Sequence, residues 1–194
     1  MPTLRERNRL RARGDIAAAA FELFEQQGYD ATTIDQIARA AGVSSATFSR
    51  HFPNKEDVLF ADEDVAAAEM VDRVAVRADR SFTVAALAGP VAELALVLQS
   101  ERTMRLTHLV MTNRSLESRS LRMRLRWERD IARQFASEQG LEDPTIDHSL
   151  AAAAAVSCLS TALRYWDKNK DPTGLVELVE LSFRRLFDLI GQSR

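Results

Sequence analysis

Residues 32–56 read TTIDQIARAAGVSSATFSRHFPNKE, and this stretch decides the fold. Thr33 followed three residues later by Gln36 is a capping box that starts a short helix. Ile34, Ile37, Ala38 and Ala41 then share one side of it at helical spacing, so that side is buried. Gly42 follows the last turn, where a left-handed backbone costs glycine little. Val43 is apolar and can plug the angle between helices, and Ser44 or Ser45 can cap the next one. In that second helix Phe48 and Phe52 are four apart and face inward. Ser45, Thr47, Ser49, Arg50 and His51 remain on other faces, short or hydrogen-bonding. Pro53 stops the helix, and Asn54 can cap a further one beginning with Lys55, Glu56 and Asp57. A helix, a glycine turn and a second helix with a small polar face is the shape that enters the major groove of DNA.

Taken alone, the hairpin is equally compatible with two core helices joined by a tight turn. The longer context shifts the balance. Arg13, Ile16, Ala19, Ala20, Leu23, Phe24 and Gly28-Tyr29 precede the hairpin, and Thr47-Phe48, His51-Phe52 and Lys55-Glu56 close it. With Thr32-Thr33-Ile34, Ile37-Ala38 and Ala41-Gly42-Val43-Ser44 these residues resemble the TetR family of bacterial transcriptional regulators over roughly the first third of the chain. The resemblance implies a three-helix DNA-binding domain, an all-helical ligand-binding and dimerisation domain, and a homodimer. It carries DNA contacts onto Thr33, Ser44, Thr47, His51 and Lys55. Ser45, Ser49 and Arg50 are candidates for reading or positioning. Ser49 departs from the family, which usually has a tyrosine there on the DNA backbone. The contact is then weakened, or passes to Arg50 or His51.

Composition narrows the classes. A chain of 194 residues, 46% hydrophobic, supports one large domain or two small ones. No run of eighteen apolar residues occurs, and the Ala151–Val156 tract is too short to span a membrane. No apolar leader follows the N-terminal arginines, and the single cysteine, Cys158, rules out an internal disulfide. A cytoplasmic location is the consistent reading. The net charge of −2 hides an asymmetry: residues 1–55 carry +2 and the remainder −4. Arg5, Arg7, Arg9, Arg11 and Arg13 face Glu6 alone. Such an arm suits phosphates or a minor groove, and equally a solvated first helix capped by Thr3 and Glu6. With no Gly-rich phosphate loop, no metal cluster among three scattered histidines and no nucleophile elbow, neither enzyme chemistry, nor a cofactor, nor a metal is expected.

Helical spacing dominates the rest, giving an all-α chain of about nine helices: a helix-turn-helix domain over 1–54 and a ligand-binding and dimerisation domain over 55–194. The first helix runs from near Leu4 to Gln27, and the fourth starts at Lys55. Gly89-Pro90 predicts a kink or break in the fifth, over 84–99. The sixth covers 101–112; Ser115 can cap the seventh, which stops at Gly140. Asp143 with Pro144 starts the eighth, and Asp171 with Pro172 the last. In the last helix, apolar residues from Leu175 to Ile190 cover more than half the circumference, more than one core-facing stripe requires. The last two helices are therefore the expected homodimer seam, as in the resembled family.

Arg119, Arg122, Arg126, Arg129 and Arg133 form one stripe on the seventh helix, read as a solvated face paired with acids such as Glu117 and Asp130 rather than as an anion-binding mouth. Arg124 instead emerges from the apolar arc, one turn from Glu128. It pairs there or snorkels outward, or else holds a carboxylate or phosphate. Met104, His108 and Met111 on the sixth helix, Trp127, Ile131 and Phe135 on the seventh, and Cys158, Thr161 and Trp166 on the eighth are candidate ligand contacts. They fall on the helices that line the effector cavity in the resembled family. Residues 103–130 also look like a TetR subgroup around the mycofactocin-system regulator, associated with acyl-CoA-type ligands. The expected function is thus a dimeric, ligand-responsive regulator, a repressor released from a palindromic double-stranded operator by a small apolar or amphipathic molecule. The alternative is a ligand-binding protein with weakened or lost DNA binding.

Overall fold

The computed structural model describes residues 3–169 and 174–191. Among them the chain is all helix, without a strand. Two compact units form, residues 1–63 and 64–194. The division lies nine residues later than the 54/55 boundary expected from the sequence. The reason is local: a 3-10 segment, Lys55–Phe60, turns back onto the first helix and buries Val58 and Phe60.

The first unit holds α1 (Leu4–Gln27), α2 (Ile34–Ala40) and α3 (Ser45–His51). Capping boxes open α1 at Thr3–Glu6 and α2 at Thr33–Gln36, as the three-residue spacing predicts. The arginine arm is therefore part of α1, with Arg5 to Arg11 exposed on it. Ser44 caps α3 by accepting the Thr47 N–H at 3.1 Å. Gly42, at φ 69°, makes the turn between α2 and α3. Ile16, Ala20, Phe24, Ile37, Phe48 and Phe52 close the core, all essentially without solvent exposure. Buried Thr32 donates its hydroxyl to Gly28 O at 2.8 Å, holding the corner before α2.

The second unit holds α4 (Glu63–Ala75) but for its first residue, α5 (Ala88–Leu98), α6 (Glu101–Thr112), α7 (Arg114–Glu138), α8 (Ile146–Asn169) and α9 (Leu175–Gly191). Four starts differ from the sequence expectations. The α-helix expected from Lys55 begins at Glu63, after the tighter 3-10 segment opened by the Asn54–Asp57 capping box. Pro90 sits in the first turn of α5, where the missing N–H costs no bond. Its ring would clash with a helical carbonyl four residues back, so the helix breaks upstream, after a 3-10 turn at Ala85–Leu87. Asn113, not Ser115, caps α7, accepting from the Ser115 and Leu116 amides at 3.0 and 3.3 Å. Thr145, not Asp143-Pro144, opens α8: its hydroxyl accepts His148 N–H at 3.2 Å while its own N–H donates to His148 Nδ1 at 3.3 Å. The expected Asp171-Pro172 start of α9 lies outside the described residues.

Helix α8 packs on α5, α6, α7 and α9, and its alanines allow the close approach. By length and composition it is apolar enough to cross a membrane, but half of that stretch is buried inside the unit, the position of a core helix. Arg77 ties the end of α4 to the end of α7. Its side chain is 1% exposed and ion-paired with Glu138 at 2.9 Å. It also donates to Val74 O at 2.7 Å and to Ser81 O at 3.1 Å, and it lies over the Phe135 ring.

Candidate DNA-reading helix and α7–α8 cleft

In α3 the residues pointing outward are small apart from Arg50. Ser44, Ala46, Ser49 and Arg50 are exposed, while Ser45, Thr47 and His51 are half-buried. Periodicity accounts for this: Phe48 faces the core, so Ala46, Ser49 and Arg50 must face away. The outward groups are organised among themselves. Ser44 and Thr47 share a hydroxyl hydrogen bond at 3.0 Å, and Arg50 Nη2 donates to Thr47 Oγ1 at 3.0 Å. Ser45 donates to Asp35, bracing α3 against α2. Thr33 is exposed at the start of α2, its hydroxyl accepting from Gln36 N at 3.2 Å. These groups form a narrow hydrogen-bonding ridge of short side chains with one long donor, Arg50, which suits approach to base edges and phosphates.

Two expected contact residues are already engaged. Lys55 Nζ donates to Tyr29 O at 2.7 Å and Thr32 O at 2.8 Å, and it lies 4.0 Å from the centre of the Tyr29 ring. Burial pulls its pKa down, against Asp30 and Glu56. It is a brace for the corner before α2. His51 has its carbonyl tied by Arg13 Nη1 at 2.9 Å. Burial, then the charges of Arg13, Arg50 and Arg9, holds the His51 ring below its ordinary pKa of 6.5.

Arg13 differs from the other arginines of the arm. Its fork spans His51 O and Ala61 O, the latter at 3.1 Å from Nη2, and its guanidinium stacks 4.4 Å from the Phe52 ring. It is a clamp on the end of α3 rather than a phosphate contact. Sequence reading missed this role, because nothing local distinguishes Arg13 from Arg11. It also passed over Ala46, which helical spacing from Ser49 and Arg50 puts on the same outward face.

The ten expected ligand residues separate in the second unit. Trp127, Ile131, Phe135, Cys158 and Trp166 are buried in one core, with Met104 packed on it. Burial alone raises the Cys158 thiol pKa, which makes it an unreactive core group. His108 is exposed and faces Asp167 at 3.2 Å. Met111 and Thr161 are half-buried, and Thr161 accepts from Arg164 at 3.0 Å. Arg124 instead lines a cleft of about 220 Å³ between α7 and α8, with Leu121, Leu125 and Glu128 from α7 and Val156, Ser157, Ser160 and Arg164 from α8. The arginine stripe on α7 is in part an ion-paired surface: Arg126 meets Asp64 and Asp130, and Arg133 meets Asp130 at 3.7 Å.

A capped α2, a positive-φ glycine, and an α3 with a small polar outer face constitute a helix-turn-helix of the kind used by DNA-binding transcriptional regulators. Comparison with known proteins agrees. Residues 16–61 match the family described as "Bacterial regulatory proteins, tetR family", and residues 84–190 match the "MftR C-terminal domain". The chain belongs to the TetR family, whose members bind DNA operators, dimerise and bind small-molecule effectors, and are regulators rather than enzymes. The regulator TcmR of Streptomyces glaucescens is 49% identical over 57 residues, 29% of this chain and 25% of TcmR. The chain thus spans about a quarter of that relative. MftR of Mycobacterium tuberculosis is 23% identical over 181 residues, 91% of this chain and 87% of MftR. Among solved structures, FadR of Thermus thermophilus, a TetR repressor in complex with lauroyl-CoA, superposes with a TM-score of 0.56 at 23% identity, covering 90% of this chain and 93% of that one.

Proposed function

We propose that this chain is a dimeric, ligand-responsive transcriptional regulator, a repressor that leaves a palindromic operator when a small apolar or amphipathic molecule binds its second unit. The observation that carries the DNA half is the outward ridge of α3: Ser44, Ser45, Thr47, Ser49, Arg50 and His51, with Thr33 at the head of α2 and Lys55 behind the corner. Ser49 and Arg50 meet the groove, Thr33, Ser44, Thr47 and His51 meet phosphates, and Lys55 sets the corner and adds its positive charge beside the phosphates. The dimer half is supported by apolar side chains that a single copy leaves in water: Leu150 and Tyr165 on α8, and Leu181, Phe187 and Ile190 on α9. The effector class draws support from Thermus FadR, whose ligand is lauroyl-CoA, and an acyl-CoA-like molecule is the corresponding candidate here. An effector releases DNA only by favouring one spacing of the two recognition helices over another. A cytoplasmic location follows from this role.

The test is a binding titration against the chain's own upstream DNA at several salt concentrations. Affinity should fall by about 0.9 log units per log unit of salt for each phosphate neutralised. Lys55→Ala should weaken all sequences alike, and Arg50→Ala should change the preference among operator variants. A flat salt response refutes the operator reading. No retardation even at low salt favours the alternative, a ligand-binding protein whose DNA contacts have decayed at Ser49.

A further inference from the structure

The α7–α8 cleft differs in kind from the apolar core beside it. Arg124 and Leu125 come from one turn of α7, and Ser157, Ser160 and Arg164 from successive turns of α8, so two guanidinium groups and two hydroxyls converge on one concavity. Arg164 is steadied there by its bond to Thr161 Oγ1. The Nε of Arg124 is buried and lacks a hydrogen-bond acceptor, a costly condition for a donor on a charged group. At about 220 Å³ the cleft falls below the several hundred Å³ typical of pockets that enclose a whole small molecule. It is open to one side, with Leu121 and Leu125 exposed at its rim.

We infer that this cleft binds the oxyanion head, carboxylate or phosphate ester, of an amphipathic small molecule, with Arg124 and Arg164 on the head and Leu121, Leu125 and Val156 along its hydrocarbon. The size of the cleft makes it a head-group site. The two arginines supply the planar donor forks that carboxylates and phosphates accept. Glu128 lies at the cleft too; burial first, and then the charge of Arg164, lower the Arg124 pKa against the opposing charges of Glu117 and Glu128. A bound oxyanion supplies the acceptor that the buried Arg124 Nε lacks, and it does so more strongly than a neutral hydroxyl. The inference rests on the ligand response proposed above and locates it outside the Trp127–Trp166 core.

The experiment is calorimetric titration of the full-length chain with octanoate, octyl phosphate, 1-octanol and inorganic phosphate. Wild type is compared with Arg124→Gln and with Arg164→Gln, the latter at an exposed position that folding does not need. Both octyl anions should bind, and octanol should bind at least about tenfold more weakly. Each variant that melts like wild type should lose about tenfold in anion affinity. The inference is overturned if octanol matches octanoate, or if both folded variants bind like wild type. Inorganic phosphate binding as well as octyl phosphate, or no anion binding to the dimer because the partner subunit covers the cleft, also overturns it. Operator binding measured in the same octanoate series separates the two readings. Anion binding without operator release leaves the cleft assigned and removes its regulatory role. Release by other effectors, with an inert cleft, leaves the regulator and removes the cleft.

Discussion

Replacing Arg13 by methionine keeps much of the side chain's volume and removes the clamp on α3. Three charge-assisted bonds go, from Nη1 to His51 O at 2.9 Å and from Nη2 and Nε to Ala61 O at 3.1 and 3.4 Å, together with the stacking on Phe52. Bonds to a charged group contribute about 1.5–3 kcal/mol each when well shielded, and the stacking about 0.5–1 kcal/mol. Arg13 is only half-buried, so water replaces part of what is lost, and a net cost of about 2–3 kcal/mol is expected. In a unit of 63 residues that corresponds to a drop in Tm on the order of 10–20 °C. The local consequence is more specific. His51 O is one of the carbonyls left over at the end of α3, and the guanidinium satisfies it with the sign the helix dipole favours. Without it, α3 should fray from its last turn, and operator affinity should fall even where the unit stays folded. Hydrogen exchange at residues 45–52 and operator titration below the melting range measure both effects. Arg13→Lys, which keeps the charge but cannot fork between two carbonyls, should recover only a minor part. Unchanged protection at residues 45–52 together with unchanged affinity in Arg13→Met refutes the clamp.

Glu138→Gln leaves the buried Arg77 without its counter-charge and should destabilise the second unit by about 3 kcal/mol in thermal unfolding. Burial opposes ionisation of Glu138, but the bonds from Arg77 and Gln134 and the charges of Arg77 and Arg80 outweigh it and hold its pKa below the ordinary 4.5. Its contribution to stability is therefore present above about pH 4.5 and lost as pH falls through the lower folded value; in Glu138→Gln that acid-sensitive component should be missing. His51 should make operator binding pH-dependent. Its ring is held below 6.5 in the free protein, a phosphate would raise it, and so binding takes up a proton. Affinity should fall as pH rises from about 6 to 8, and the slope should flatten in His51→Gln; equal slopes refute the phosphate contact. Phe187→Asp combined with Ile190→Asp should yield a folded monomer by light scattering with much weaker operator binding, and a persistent dimer refutes the α8–α9 seam.

The parts of the fold that were legible in the sequence are those decided within one or two turns. Thr3–Glu6 and Thr33–Gln36 are capping boxes because the partners are three residues apart, and Gly42 is a turn because φ is positive there. Phe48 and Phe52 face inward because the spacing leaves no other choice. Where two cap-forming residues lie within two positions of each other, as with Asn113 and Ser115 or Asp143 and Thr145, propensity does not rank them; Asn113 caps α7 from an extended backbone, and Thr145 caps α8 through its reciprocal bonds with His148. Arg13 shows the harder limit. Its partners are 38 and 48 residues away, so one arginine among five becomes a clamp only through the way α1 crosses the end of α3.

The ligand residues gather only in part: Met104, Trp127, Ile131, Phe135, Cys158 and Trp166 meet in the core, whereas His108, Met111, Arg124 and Thr161 lie apart from it. Apolar and aromatic residues on α6, α7 and α8 are what any helical core needs, so Trp127, Ile131, Phe135 and Trp166 sit together whether or not a ligand enters. Arg124 is the exception: a charge inside an apolar arc does nothing for packing and has to be answered by a neighbour. The surface it faces across the cleft, Ser157, Ser160 and Arg164, lies more than thirty residues on, on the face of α8 that meets α7. Which faces of two helices meet is a property of their packing, and the period of either helix alone does not encode it. The residue that packing does not explain is therefore a better pointer to the effector than the residues that resemble a pocket, and substitution at Arg124 separates a charge kept for a ligand from one tolerated by the core.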